Sequence, residues 1–263
     1  IPGKIINKFH LLLAVPRSQQ RIVGGEDTTI EKYPYMSNME FLWFGIWWLQ
    51  SCGGALIDEN HILSAAHCYL GDSPVSWRVR LGSTLASSGG SSHQVQSINI
   101  HDRYSGATLD NDIAIVRLGS PATFSNSIRP ASIPSANYRL PDGAKVVSIG
   151  WGALWSGGPS PEVLQHVEID IINQELCAER YAYLKTQPGY QGWPDITDGM
   201  LCAGLLDVGG GDACQGDSGG PLAYNGDEVH GVTSWGFGCA DAFYPGVNAR
   251  VSHYSNWIVA NAV

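Results

Sequence analysis

The chain has 263 residues, 44% of them hydrophobic and 15% charged, with 32 glycines, which suffices for a buried core and excludes a disordered chain or a coiled coil. Fifteen Lys and Arg against 24 Asp and Glu give a formal charge of −9, which argues against nucleic acid or an anionic membrane as partner, since both require a basic surface. The longest apolar run, Phe41 to Leu49, has nine residues against the roughly 20 that a transmembrane helix needs.

Residues 1–21 contain Lys4, Lys8, Arg17 and Arg21 and no acid. They read as a pro-segment, with Phe9 to Val15 as the remnant of a signal core interrupted by His10. The rest, residues 22–263, holds 11 basic and 24 acidic side chains, a formal charge of −13. From Ile22 onward, short runs of Val, Ile, Leu and aromatics alternate with Gly, Pro, Ser and Asn, the punctuation of an all-β barrel or sandwich. Strands are predicted at Trp77–Leu81, Ile113–Leu118, Lys145–Ile149 and Val229–Ser234. Ser83 to Ser92, rich in Ser and Gly, reads as a flexible surface loop, and Gly119 to Asn137, with Pro121, Pro130 and Pro134, as a linker between two β halves. Asn173 before Gln174-Glu175-Leu176 predicts a capped short helix. Val251, Tyr254, Trp257, Ile258 and Ala262 predict an amphipathic helix over residues 251–262.

The six cysteines, Cys52, Cys68, Cys177, Cys202, Cys214 and Cys239, form no C-x-x-C pair. Their even number suits three bridges in an oxidising compartment, with 15 pairings open. No N-x-S/T glycosylation signal with a permitted middle residue is present.

Three segments carry the residue types of nucleophilic hydrolysis. Gly216-Asp217-Ser218-Gly219-Gly220-Pro221 sets a serine in a glycine-rich turn, where a substrate can approach and backbone N–H groups can converge. Ser64-Ala65-Ala66-His67-Cys68 places a histidine beside a cysteine able to pin it. Asp110-Asn111-Asp112-Ile113-Ala114-Ile115-Val116 puts an acid at the mouth of an apolar strand, where burial demands a partner. Singly, each has an ordinary structural use: a tight turn, a satisfied core histidine, a strand cap.

Together, in the order His, Asp, Ser, the segments resemble trypsins of the chymotrypsin-fold serine protease family, and within it the insect branch, in zymogen form. The likeness runs from Ile22 to the C-terminus. It implies an all-β fold of two six-stranded antiparallel barrels with a C-terminal α-helix, the first barrel over about 22–125, the second over about 137–250, and the cleft between them. It implies that Ser218 is the nucleophile, His67 its base, Asp112 the acid that orients the base, and the N–H groups of Gly216 and Ser218 the oxyanion hole. Arg21-Ile22-Val23-Gly24-Gly25 resembles the activation junction, at which a freed Ile22 ammonium pairs with Asp217. Asp212 matches the acid at the base of the primary pocket, Gly236 and Gly246 its open walls, and Ser234-Trp235-Gly236 the edge that pairs with extended substrate. Ala213 stands where many trypsins have serine, which predicts Arg ahead of Lys at the cleaved bond.

The resemblance pairs Cys52 with Cys68, Cys177 with Cys202 and Cys214 with Cys239. It implies a secreted, monomeric, digestive endopeptidase without cofactor or metal, whose partners are protein substrates and protein inhibitors. Ser83 to Ser92 lacks the acids of the vertebrate calcium loop, so no calcium is expected there. Asn248 stands where many trypsins have tyrosine, at the back of the pocket. Tyr181, Tyr190 and Trp193, and the aromatic stretch Phe41 to Trp48, are candidate exosites, with most of these rings expected to pack on their own loops. The other two readings are a restricted processing protease and a silent binding homologue.

Overall fold

The computed structural model describes residues 23–263. Its first barrel is built from β2 (Met36–Trp43), β3 (Trp47–Leu56), β4 (His61–Ser64), β5 (Trp77–Leu81), β6 (Ser91–Ile100) and β7 (Ala114–Leu118), closed in the order β2-β3-β4-β7-β6-β5. The alternation in Trp77-Arg78-Val79-Arg80-Leu81 appears directly as burial: Trp77, Val79 and Leu81 lie in the core and the arginines face outward. The arginines meet Glu40, which is buried between them; its Oε1 accepts from Arg80 Nε at 2.8 Å and its Oε2 from Arg78 Nε.

The second barrel contains β8 (Lys145–Gly150), β9 (Gln165–Ile171), β10 (Met200–Gly204), β11 (Pro221–Tyr224), β12 (Glu228–Trp235) and β13 (Gly246–Arg250), antiparallel throughout and closed by the β8–β9 pairing. The predicted strands recur with ends shifted by one residue or none. Both barrels and the C-terminal helix expected from the resemblance are present. The short β1 (Glu26–Asp27) pairs with His166 and Gln165 of β9, so the start of the described chain pairs with the second barrel, not the first.

Helix α1 (Gln174–Lys185) starts where expected: Asn173 Oδ1 accepts from Leu176 N at 3.0 Å, satisfying one otherwise unpaired first-turn donor. It runs 12 residues, longer than the short helix expected. Helix α2 (Val251–Asn261) leaves the second barrel and lies against the first, where His101 packs on Tyr254 and Trp257. Ser83 to Ser92 is not the flexible loop the composition suggests. Ala86 N donates to Glu162 O and Leu164 N to Thr84 O, while Ser83 Oγ donates to Leu85 O, so the loop is stitched to the second barrel before β6 begins at Ser91. Among the described residues, no helix is long and apolar enough to cross a membrane.

Candidate active site

The site forms where the two barrels touch. Ala66–Cys68 is a single 3₁₀ turn after β4, and Asp112 lies just before β7, the strand that pairs with β4. That pairing brings residues 45 apart into contact: His67 Nδ1 is 2.7 Å from Asp112 Oδ2, and His67 N donates to Asp112 Oδ1 at 2.8 Å. Asp112 is 2% exposed, so its charge must be met by donors. The Ser234 hydroxyl, on β12 of the other barrel, supplies a further bond to Oδ2. His67, with 25% of its side chain exposed, presents its other ring edge to the cleft.

Ser218 reaches the same place because glycines let the barrels approach. Gly53 N, on β3, donates to Ser218 O at 2.7 Å, and the Cys68 sulfur sits 3.9 Å from His67 Nε2 and 3.7 Å from Ser218 O. Gly219 has φ +79°, and a Cβ there would lie 2.6 Å from Gly53 O and overlap Ser64 Oγ. Gly216 has φ +97°, which side-chain-bearing residues rarely adopt, and its carbonyl accepts from Gln50 Nε2 at 2.6 Å. Among the described residues, no carbonyl or side chain takes up the N–H of Gly216 or of Ser218. Among the described residues these two donors, one of them the serine's own, therefore have no partner.

Asp217 is fully buried. Its Oδ1 accepts from Gly152 N at 2.7 Å and its Oδ2 from Cys214 N at 2.9 Å, while burial pushes its carboxyl up to about 6. A Cβ at Gly150 or Gly152 would strike that carboxylate. Arg21 and Ile22 lie outside the described residues, as does the rest of the expected pro-segment. The chain that follows them is docked, with Val23 O accepting from Asp212 N at 3.2 Å.

Asp212 lies in a cavity of 140 Å³ that opens beside Ser218 and is walled by Ser234, Trp235, Gly236 and Gly246, with Ala213 also in its lining. A Cβ at Gly246 would come within 2.8 Å of the carboxylate, and one at Gly236 would lie 3.6 Å from Gly246 Cα, so the two glycines keep the slot open. Burial pushes the Asp212 carboxyl up to about 7, opposed by N–H donors from Ala213, Ala240 and Gly246. The three bridges join Cys52 to Cys68, Cys177 to Cys202 and Cys214 to Cys239. The first holds the histidine turn and the third spans the pocket.

Given this geometry, comparison with known proteins is decisive: the trypsin family profile matches residues 22–258. The chain belongs to the trypsin family. Trypsin, alkaline C, of Manduca sexta is 50% identical over 97% of this chain and 96% of its own length. Trypsin CFT-1 of Choristoneura fumiferana is 51% identical over 95% and 94%, and a vitellin-degrading protease of Bombyx mori 39% identical over 94% and 87%. This trypsin-family chain is a trypsin-like serine endopeptidase resembling insect trypsins.

Two sets of contacts around the site are invisible in the sequence. Gln50 orients the Gly216 peptide from 166 residues away, and no local pattern marks it. Tyr181 braces both pocket walls: its hydroxyl donates to Pro245 O at 2.7 Å and accepts from Phe237 N at 3.3 Å. Tyr190 and Trp193 pack on one another and also across to Phe237, outside their own loop, so this stretch lies against the segment that follows β12. The other aromatic stretch departs from the own-loop reading. Phe41 and Trp48 find partners in Trp77 and Arg78, but Phe44 and Trp47 at the β2–β3 turn are 83% and 58% exposed because the hairpin projects beyond the barrel.

Proposed function

We propose that this protein is a secreted digestive endopeptidase that cleaves after Arg, and less readily after Lys, once a zymogen has been cut between Arg21 and Ile22. The observation that carries the reading is the 2.7 Å His67–Asp112 contact beside Ser218, over a slot with one carboxylate at its base. The chemistry is the known mechanism of the family. Ser218 Oγ attacks the scissile carbonyl carbon as its proton passes to His67 Nε2. Asp112 holds the Nδ1–H tautomer and balances the imidazolium. The N–H groups of Gly216 and Ser218 receive the oxyanion, a role in which loss of one donor costs about 3 to 4 kcal/mol. His67 returns the proton to the leaving amine, and water then releases the acyl group by the same steps in reverse order.

Asp212 supports a cationic side chain at the cleaved bond. Guanidinium can engage a carboxylate with two N–H groups, and Ala213 offers no hydroxyl to an ammonium, which favours Arg. The docked Val23 and the buried Asp217 support an activation step in which the Ile22 ammonium enters beside that carboxylate. The names of the alkaline and CFT-1 trypsins support trypsin-type cleavage, and digestion is the task that the family resemblance implies. The exposed hairpin favours a second reading, restricted processing. Protein inhibitors that present Arg or Lys would be bound in the same cleft, by a monomer.

The test is hydrolysis of matched Arg, Lys and Phe peptides before and after cleavage at Arg21, with a Ser218→Ala control. Arg-selective activity that appears on cleavage and vanishes in the control is expected; inactive, correctly cleaved protein would favour a silent homologue. A mixed-protein digest separates the two tasks, since cuts after nearly every accessible Arg mean digestion and one or two cuts mean processing.

A further inference from the structure

The cavity that holds Asp212 does not end at its carboxylate. Its lining continues past Gly246 to Asn248, Ser148, Leu222 and Ile169, inside the second barrel. These residues come from four strands, β13, β8, β11 and β9, and Ser148 and Leu222 are direct cross-strand partners. Asn248 is buried and lines the cavity, so a longer side chain at 248 would occupy part of it.

The polarity of this space is out of place in a barrel interior. Ser148 is 1% exposed, yet its hydroxyl has no hydrogen-bond partner among the described residues. Asn248 Nδ2 makes one long bond, 3.4 Å, to Leu201 O. Thr233 is a further polar side chain of the lining, and Asp212 is the only charged residue in it. A buried hydroxyl without a partner is unfavourable, so such a wall calls for a donor from whatever enters.

The geometry points to a back chamber, opened by Asn248, that accepts a substituent carried beyond the cation paired with Asp212. The ligand class is guanidinium side chains longer or bulkier at the distal end than arginine, such as homoarginine or an arginine methylated on a terminal nitrogen. The distal N–H donates to Ser148 Oγ or Asn248 Oδ1 while the inner nitrogens remain with Asp212. This rests on the Arg specificity proposed above and adds a subsite to it.

The test uses the activated Ser218→Ala protein and two probes, phenylguanidine and N-methyl-N′-phenylguanidine, with affinities measured by calorimetry. The added methyl is expected to weaken binding less than tenfold, and Asn248→Tyr to enlarge that penalty at least threefold by filling the chamber. Ser148→Leu, which fills it from the opposite wall, gives the same reading if the tyrosine variant does not fold. A penalty of tenfold or more with Asn248 in place overturns the chamber, as does a penalty that the filling variant enlarges less than threefold. Failure of phenylguanidine itself to bind sinks the arginine reading and the chamber with it; rejection of the methylated probe alone sinks only the chamber.

Discussion

At Asp212, burial sets a cost in stability against the recognition proposed for it. Its carboxyl is raised from an ordinary 3.8 to about 7 because burial disfavours the charged form. The native state therefore holds this proton more tightly than the unfolded chain does, and the associated stability, present in full below pH 3.8, is lost as pH climbs to about 7. Asp212→Asn, which keeps an acceptor for Ala213 N, should raise the unfolding free energy at pH 8 by up to about 4 kcal/mol while abolishing cleavage after Arg; urea melts at pH 8 and pH 4 check this, with the gain confined to the higher pH. In the intact pocket the same shift makes cation binding pH-dependent. Benzamidine should bind Ser218→Ala protein progressively more weakly as pH falls below about 7, by up to about tenfold per unit; a flat calorimetric profile from pH 5.5 to 8.5 would refute it. The glycines divide by their surroundings. Gly219→Ala should cost about 3 to 5 kcal/mol, because a Cβ meets Gly53 O and Ser64 Oγ as well as an unfavourable φ, whereas Gly143→Ala, at φ +74° in open space, should cost about 1 kcal/mol. Denaturant melts of the two variants compare them directly.

At the scale of elements, α1 and the loop after it act on the pocket from outside. Tyr181, the second-turn aromatic of α1, packs its ring edge-on against Trp235 of the slot's wall, and its hydroxyl ties strand β12's exit at Phe237 to the Pro245 segment that enters β13. Tyr181→Phe removes both bonds and should raise KM for Arg substrates several-fold with little change in kcat, because the slot loosens while the histidine turn is untouched; equal loss in kcat would contradict this. The cap of the same helix is a local matter. Asn173→Ala should cost about 1 kcal/mol of stability and leave KM unchanged.

Over the whole molecule, the site depends on two barrels held in register by a few polar contacts: Gly53 N to Ser218 O, and Ser234 to Asp112. The Cys52–Cys68 bridge, separated by 16 residues, anchors the histidine turn to the β3 strand that makes the first of these contacts. Replacing both cysteines by serine should cost about 3 kcal/mol and lower kcat more than it raises KM, as His67 loses its fixed position. The proposed activation adds a pH limit. Asp217 gains its charge only above about 6, and pairing raises the Ile22 amine above its free value of about 8. The same pairing draws the Asp217 carboxyl below its unpaired value of about 6, so activity of the cleaved enzyme should fall on the alkaline side, above the raised amine value; an Ile22 amine blocked by acetylation should leave little activity at any pH.

The sequence by itself determined the strands with clear alternation, the Asn173 cap, the C-terminal helix and, by resemblance, the three site segments, because these depend on local patterns or short motifs that survive without knowledge of the fold. It misjudged Ser83 to Ser92, since a Ser and Gly composition says nothing about the carbonyls of Glu162 and the N–H of Leu164 that stitch the loop down. It also left open which aromatics are covered: Tyr181 and Trp193 find one another through α1 and its loop, while Phe44 and Trp47 have only solvent beyond the hairpin. Gln50, the brace at Tyr181 and the space behind Asn248 were decided by tertiary structure alone, because each is a relation between strands or loops far apart in the chain, and a side chain's neighbours there are set by barrel closure and not by its position in the sequence.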